Sequence, residues 1–118
     1  MLFKETVAGI IIFIAKHLKY KVAEALNAGD PGLETCCFMI TNVSRKFNLV
    51  ACYRPLGNRL KVDKWDKFLK KIKINDTFLL LDDFNAHHVE WNCNSSDKNG
   101  ESLLELYDKH EINILNQH

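Results

Sequence analysis

The change of hydrophobic period at Val62 constrains this chain more than any other feature. Trp65, Phe68, Leu69 and Ile72 recur at i, i+3, i+4 and i+7, which puts them on one stripe of a helix. The spacing predicts a helix over Val62–Ile74. Lys64, Lys67, Lys70, Lys71 and Lys73 fill most of the remaining surface. A basic helix can bind phosphates, but lysines opposite an apolar stripe are more often a solvated face. Around this helix the apolar residues come in short runs with β character. Val7–Ile14 is continuously apolar and reads as a strand buried on both faces. Tyr20–Leu26 is a further strand candidate. Glu34–Thr41 and Phe47–Tyr53, separated by the polar Asn42–Lys46, read as a hairpin. Thr77–Leu81 is the next strand, Phe84–Asp97 a polar loop, Asn99–His110 a second helix and Ile112–Leu115 a last short strand. Pro and Gly mark turns at Gly29-Asp30-Pro31-Gly32 and Pro55-Leu56-Gly57-Asn58. The order predicts a mixed α/β fold with helices covering a sheet.

The chain has 118 residues with no internal repeat, so residues 1–118 read as one domain or one piece of a domain. Hydrophobic residues at 47% and charged residues at 26% suit a packed core and argue against disorder. The net charge of +1 gives no strong overall field toward nucleic acid or membrane. The apolar run Val7–Ile14 is far short of the ~20 residues that span a bilayer. No small-x-small cleavage pattern follows it, so neither a signal peptide nor a membrane partner is expected. Cys36, Cys37, Cys52 and Cys93 show no CxxC spacing. They read as reduced, packed thiols of a nuclear or cytoplasmic protein.

The chemistry concentrates at the strand ends. Along Thr77–Asn85, alternation places Leu79, Leu81, Asp83 and Asn85 on one face, and Leu80, Asp82 and Phe84 on the other. Asp83 and Asn85 should therefore project together where an apolar strand leaves the core. A carboxylate there can orient or deprotonate a water, or hold a divalent cation through water. A carboxamide can donate to a phosphate oxygen without adding charge. By the same parity Tyr53 emerges at the end of Phe47–Tyr53, and Arg54, before Pro55, is extended. A phenol and a guanidinium at such an exit are phosphate donors, which makes Arg54 a candidate substrate-binding residue. A zinc site from His87, His88 and Cys93 with Asp83 is disfavoured, because adjacent histidines rarely share one ion and no fourth spaced ligand stands by.

These strings carry a family resemblance. Cys52-Tyr53-Arg54-Pro55, then Leu81-Asp82-Asp83-Phe84-Asn85-Ala86-His87-His88 with Trp91, resemble the "YRPP" and "GDFNAHH…W" motifs of the endonuclease/exonuclease/phosphatase superfamily. The apurinic-endonuclease-like domain of non-LTR retrotransposons is the most similar branch. Ala8-Gly9-Ile10-Ile11-Ile12-Phe13-Ile14, Asn99-Gly100-Glu101 and Asn113-Ile114-Leu115-Asn116 resemble further segments of that domain. The resemblance implies part of a four-layer α/β sandwich, with two mixed β-sheets flanked by helices. It implies phosphodiester hydrolysis with Mg²⁺ or Mn²⁺ and DNA as the partner. It makes Asp83 the residue that positions or activates water, and Asn85 the one that holds that aspartate and the phosphate. Tyr53 would be the contact to the scissile phosphate. His87 and His88 receive no catalytic role.

The chain also departs from the pattern. The family has glycine where Asp82 stands, and a second carboxylate on the covered face must be solvated, paired or protonated. The family's metal-binding glutamate is expected upstream of Met1, and its acidic-histidine pair beyond His118. The domain closes its two sheets with roughly twice this length, so the piece should be incomplete at both ends. Open strand edges would then favour self-association. The alternatives to a DNA endonuclease are a non-enzymatic remnant that binds nucleic acid or protein, and a phospholipid-directed phosphatase on the same fold.

Overall fold

The computed structural model describes residues 3–7, 10–26, 28–29, 32–55, 61–74 and 77–115. Parts of the expected motifs, namely Ala8-Gly9, Asp30-Pro31, residues 56–58 and Asn116, lie outside them. Six strands and two helices follow in the order β1 (Phe3–Val7), β2 (Ile10–Ile14), β3 (Tyr20–Val22), β4 (Glu34–Ile40), β5 (Phe47–Tyr53), α1 (Val62–Ile74), β6 (Phe78–Asp83) and α2 (Lys98–Lys109). β1 and β2 form a two-stranded antiparallel hairpin. The other four strands form one sheet in the order β3-β4-β5-β6. β3, β4 and β5 pair antiparallel, and β5 with β6 is parallel. A parallel pair needs a crossover, and the helix at Val62 provides it. The fold is therefore mixed α/β.

Pleating sorts the core onto two faces. On one, Cys37, Val50 and Cys52 meet Trp65, Phe68, Leu69 and Ile72 of α1, and Leu103, Leu106 and Tyr107 of α2. All four stripe residues of α1 are buried, and each such side chain contributes about 2 kcal/mol by leaving water. The lysines of α1 stay exposed. On the other face, Cys36, Phe38 and Ala51 pack against Ile10 and Ile14 of the hairpin. Cys36 and Cys37 thus face opposite ways, and all four cysteines are free thiols.

Four expectations need correction. The Val7–Ile14 run is not one strand buried on both faces. β2 begins at Ile10, and its outward Ile11 and Phe13 are more than half exposed, because β2 is buried through Ile10 and Ile14 on one face only. Tyr20–Leu26 is strand only to Val22 and continues as a 3₁₀ turn over Glu24–Leu26. Ile112–Leu115 is irregular. Ile112 and Ile114 pack onto the helix-side core without joining the sheet, and Leu115 is exposed. The strand expected to stop at Leu81 runs on to Asp83. Among the described residues, no helix is long and apolar enough to cross a membrane.

Candidate active site

Because β5 and β6 are parallel, their C-terminal ends lie at the same edge of the sheet. The register pairs Ala51 with Leu81, Cys52 with Asp82 and Tyr53 with Asp83. Tyr53 and Asp83 therefore stand abreast on one face, about one strand spacing of ~4.8 Å apart. Cys52 and Asp82 stand abreast on the helix face. Tyr53 is half-buried and Asp83 is exposed. Antiparallel pairing adds Glu34 of β4 directly opposite Tyr53, so Glu34, Tyr53 and Asp83 form a row across three strands. Glu34 was not singled out from the sequence, since the register across the Asn42–Lys46 turn cannot be read from alternation alone.

Asn85 lies beyond the end of β6, with φ of 50°. This is left-handed backbone that asparagine tolerates better than most residues. Strict alternation therefore stops at Asp83 and does not carry Asn85 onto the same face. Its side chain turns back instead, and Nδ2 donates to the Arg54 carbonyl at 2.6 Å. One amide hydrogen is used in this bond; the second remains for another acceptor. Arg54 is only 4% exposed. Its Nε donates to the Phe84 carbonyl, its Nη2 to the Asn85 carbonyl at 2.8 Å and its backbone N–H to the Asp83 carbonyl at 2.9 Å. The guanidinium expected to face phosphate is engaged with the backbone of the neighbouring strand exit.

Asp82 is solvent-accessible along the outer edge of β6, yet the protein around it desolvates its carboxyl and raises its pKa to about 6. The Tyr107 hydroxyl, 3.4 Å from Oδ2, works in the opposite direction, and Asp83 adds a further upward push. Burial, with the Asp82 charge next, pushes the Tyr107 hydroxyl far above the usual phenol range. The added carboxylate thus sits on the covered face, as the alternation predicted. It points away from Asp83 and does not join it as a co-ligand.

The loop after Asn85 is fastened to α2. Asp97 caps the helix by accepting from Gly100 N at 2.7 Å. It also accepts from the His87 backbone N–H at 3.2 Å and lies 3.0 Å from His87 Nδ1. Desolvation pushes the Asp97 carboxyl up, but the bonds from Gly100 and His87 outweigh it and hold the pKa below the usual value. Gly100 is required by contact: a Cβ there would fall 1.8 Å from the His87 carbonyl oxygen. His88 Nδ1 accepts from Glu90 N at 3.0 Å, and Trp91 Nε1 donates to the Ala86 carbonyl. These groups shape the loop. A groove of about 1700 Å³ runs along β6 between Asp83 and the Ile112–Leu115 segment.

A magnesium ion was the expected cofactor. Asp83 brings one exposed carboxylate to the face. Glu34 is two strand spacings away, about 10 Å between Cα atoms, and Asp82 points to the other face. Among the described residues, no group of three or more His, Cys, Asp or Glu is placed to hold a metal. Magnesium wants an octahedral oxygen shell, and these donors do not fit it by themselves.

The fold is similar to the endonuclease domain of TRAS1, a telomere-specific non-LTR retrotransposon, with a TM-score of 0.75 at 17% identity. That likeness covers 100% of this chain and 55% of the other, so the chain spans about half the length of that structure. The comparison with curated proteins found no match. Residues 47–118, which hold β5, α1, β6, the loop and α2, match the family described as endonuclease-reverse transcriptase. With more than half of its length matched, including the strands that bear Tyr53 and Asp83, this chain belongs to the endonuclease-reverse transcriptase family.

Proposed function

We propose that the chain carries the Tyr53–Asp83 part of a metal-dependent phosphodiesterase site that acts on DNA as a retrotransposon-type endonuclease. The observation that carries this reading is the parallel register that sets Tyr53 beside Asp83 at the C-terminal ends of β5 and β6. Ligands of open α/β sheets bind beyond such strand ends. In this reading Asp83 orients and deprotonates the attacking water. Tyr53 donates its hydroxyl to a non-bridging phosphate oxygen, and Asn85 gives its second amide hydrogen to the same group. A divalent ion held with further oxygen donors would neutralise charge at the phosphate. Its oxygen shell would need donors besides Asp83, the one exposed carboxylate that the described residues bring to this face.

The domain is read as one partial domain over residues 1–118, part of a four-layer α/β sandwich. Leu79 is 37% and Leu81 50% exposed on the face that carries Asp83, which supports further apolar cover there. A DNA-directed reaction places the chain in the nucleus or cytoplasm. The second reading is a non-enzymatic binding module that self-associates through β6. It is favoured by the position of β6 at the end of the four-strand sheet. An antiparallel copy would pair Leu80 with its own equivalent and cover Leu79 with Leu81.

The test is nicking of supercoiled plasmid by the purified chain, with and without Mg²⁺, beside Asp83→Ala. Metal-dependent nicking that disappears in Asp83→Ala is expected for the endonuclease. Nicking indifferent to Asp83 rejects the assignment. No nicking together with a concentration-dependent dimer favours the binding module.

A further inference from the structure

We propose that Arg54 is a positioning residue that locks the two strand exits of the site together, and not a phosphate ligand. The inference rests on the reading of Tyr53 and Asp83 as the reaction centre only for its catalytic readout. Three successive carbonyls, those of Asp83, Phe84 and Asn85, each accept a hydrogen bond from Arg54. Beyond β6 the chain leaves the ladder, and its carbonyls need donors from elsewhere. Three consecutive carbonyls converge on one residue because the backbone turns through left-handed φ at Asn85. Asn85 then closes the circuit by donating to the Arg54 carbonyl. The bonds are reciprocal: each residue holds the backbone of the other.

The residue type follows from this geometry. A guanidinium offers several N–H donors in a rigid plane, so it can serve two neighbouring carbonyls at once while the backbone N–H serves a third. A lysine ammonium is a compact point charge without that fork. Burial separates the two roles: Arg54 is almost wholly covered, and a buried cation is tolerated when its donors are satisfied. The Nε and Nη2 donors that would reach a phosphate are already given to the Phe84 and Asn85 carbonyls. The residues joined, Arg54 and Asn85, directly follow the paired Tyr53 and Asp83 in one case and lie one residue further on in the other. A lock at this point keeps the phenol and the carboxylate in step. Slippage of about 1 Å at such a pair can cost about 100-fold in rate.

Four readouts on the 118-residue chain test the assignment. In the wild type, the Arg54 Nε–H resonance should exchange slowly and should not move when inorganic phosphate is titrated in. In both Arg54→Lys and Arg54→Gln, the Asn85 side-chain amide should shift toward its free position, and nicking should fall by about 100-fold in kcat. Binding of a short DNA duplex, measured without Mg²⁺, should keep its salt slope in Arg54→Gln. The proposal is overturned by a phosphate-dependent shift of the Nε–H resonance, or by recovery of activity in Arg54→Lys. It is equally overturned if the salt slope drops by about 0.9, the signature of one lost phosphate contact. Should the chain neither bind nor nick DNA, the endonuclease reading fails alone, and the two resonances still decide the role of Arg54. If the variants do not fold, the wild-type phosphate titration decides it.

Discussion

Replacing Asp82 by asparagine should stabilise this protein at neutral pH, against the general tendency of substitutions to destabilise. The surrounding protein raises the Asp82 pKa from 3.8 to about 6. The folded chain therefore binds this proton more tightly than the unfolded chain. Below pH 3.8 both states are protonated and the carboxyl is harmless. As pH rises through the window from 3.8 to about 6, the unfolded chain ionises while the folded carboxyl holds its proton, so stability falls; above 6 the folded state carries the disfavoured charge and the full penalty is present. A shift of about two units corresponds to roughly 3 kcal/mol at most. Asp82 is solvent-accessible at the strand edge, and screening reduces this to about 1 kcal/mol. Asparagine keeps an oxygen that can accept from the Tyr107 hydroxyl and loses the charge. Urea unfolding followed by Trp65 and Trp91 fluorescence at pH 7.5, 5 and 3.5 measures the difference. A gain near 1 kcal/mol at pH 7.5 that vanishes at pH 3.5 is expected. No gain at pH 7.5, or an equal gain at both extremes, would refute the electrostatic argument.

Other substitutions probe the frame around the site. Asn48 is 1% exposed on β5, and neither polar atom of its side chain has a partner among the described residues. Asn48→Val should raise the urea midpoint, with a gain of about 1 kcal/mol. Gly100→Ala would ordinarily stabilise a helix by up to about 1 kcal/mol. Here the methyl meets the His87 carbonyl, so a loss of about 2 kcal/mol is expected in thermal unfolding. Asp97→Ala removes the α2 cap and the tie to His87. It should cost about 1 kcal/mol and speed hydrogen exchange at Gly100 and His87.

Much of this fold was legible because its periodicities are local. The α1 stripe from Trp65 to Ile72, the β4–β5 hairpin and the opposite facing of Cys36 and Cys37 all follow from spacing. Alternation also placed Tyr53 and Asp83 at strand ends and Asp82 on the covered side. The failures have physical causes. The continuous apolar pattern of β2 does not say whether a second face is covered, and β2 is buried through one. The Ile112–Leu115 run has strand composition, but it stays outside the sheet and contacts the helix-side core through Ile112 and Ile114. Alternation ceases to predict direction once the backbone turns at Asn85, so neither the bond from Asn85 to Arg54 nor the burial of Arg54 could be read from parity. The Glu34–Tyr53 pairing depended on a register that only the folded sheet defines.

The central claim is that Tyr53 and Asp83, set abreast by the β5–β6 register, act as one unit on a phosphodiester. A double-mutant cycle of Mg²⁺-dependent plasmid nicking with Tyr53→Phe, Asp83→Asn and the combined variant tests it most directly. Each single change should slow nicking strongly, and the pair together should cost little more than the worse of the two, as for groups that work on the same step. Full additivity, or a Tyr53→Phe chain that nicks at the wild-type rate, would contradict it.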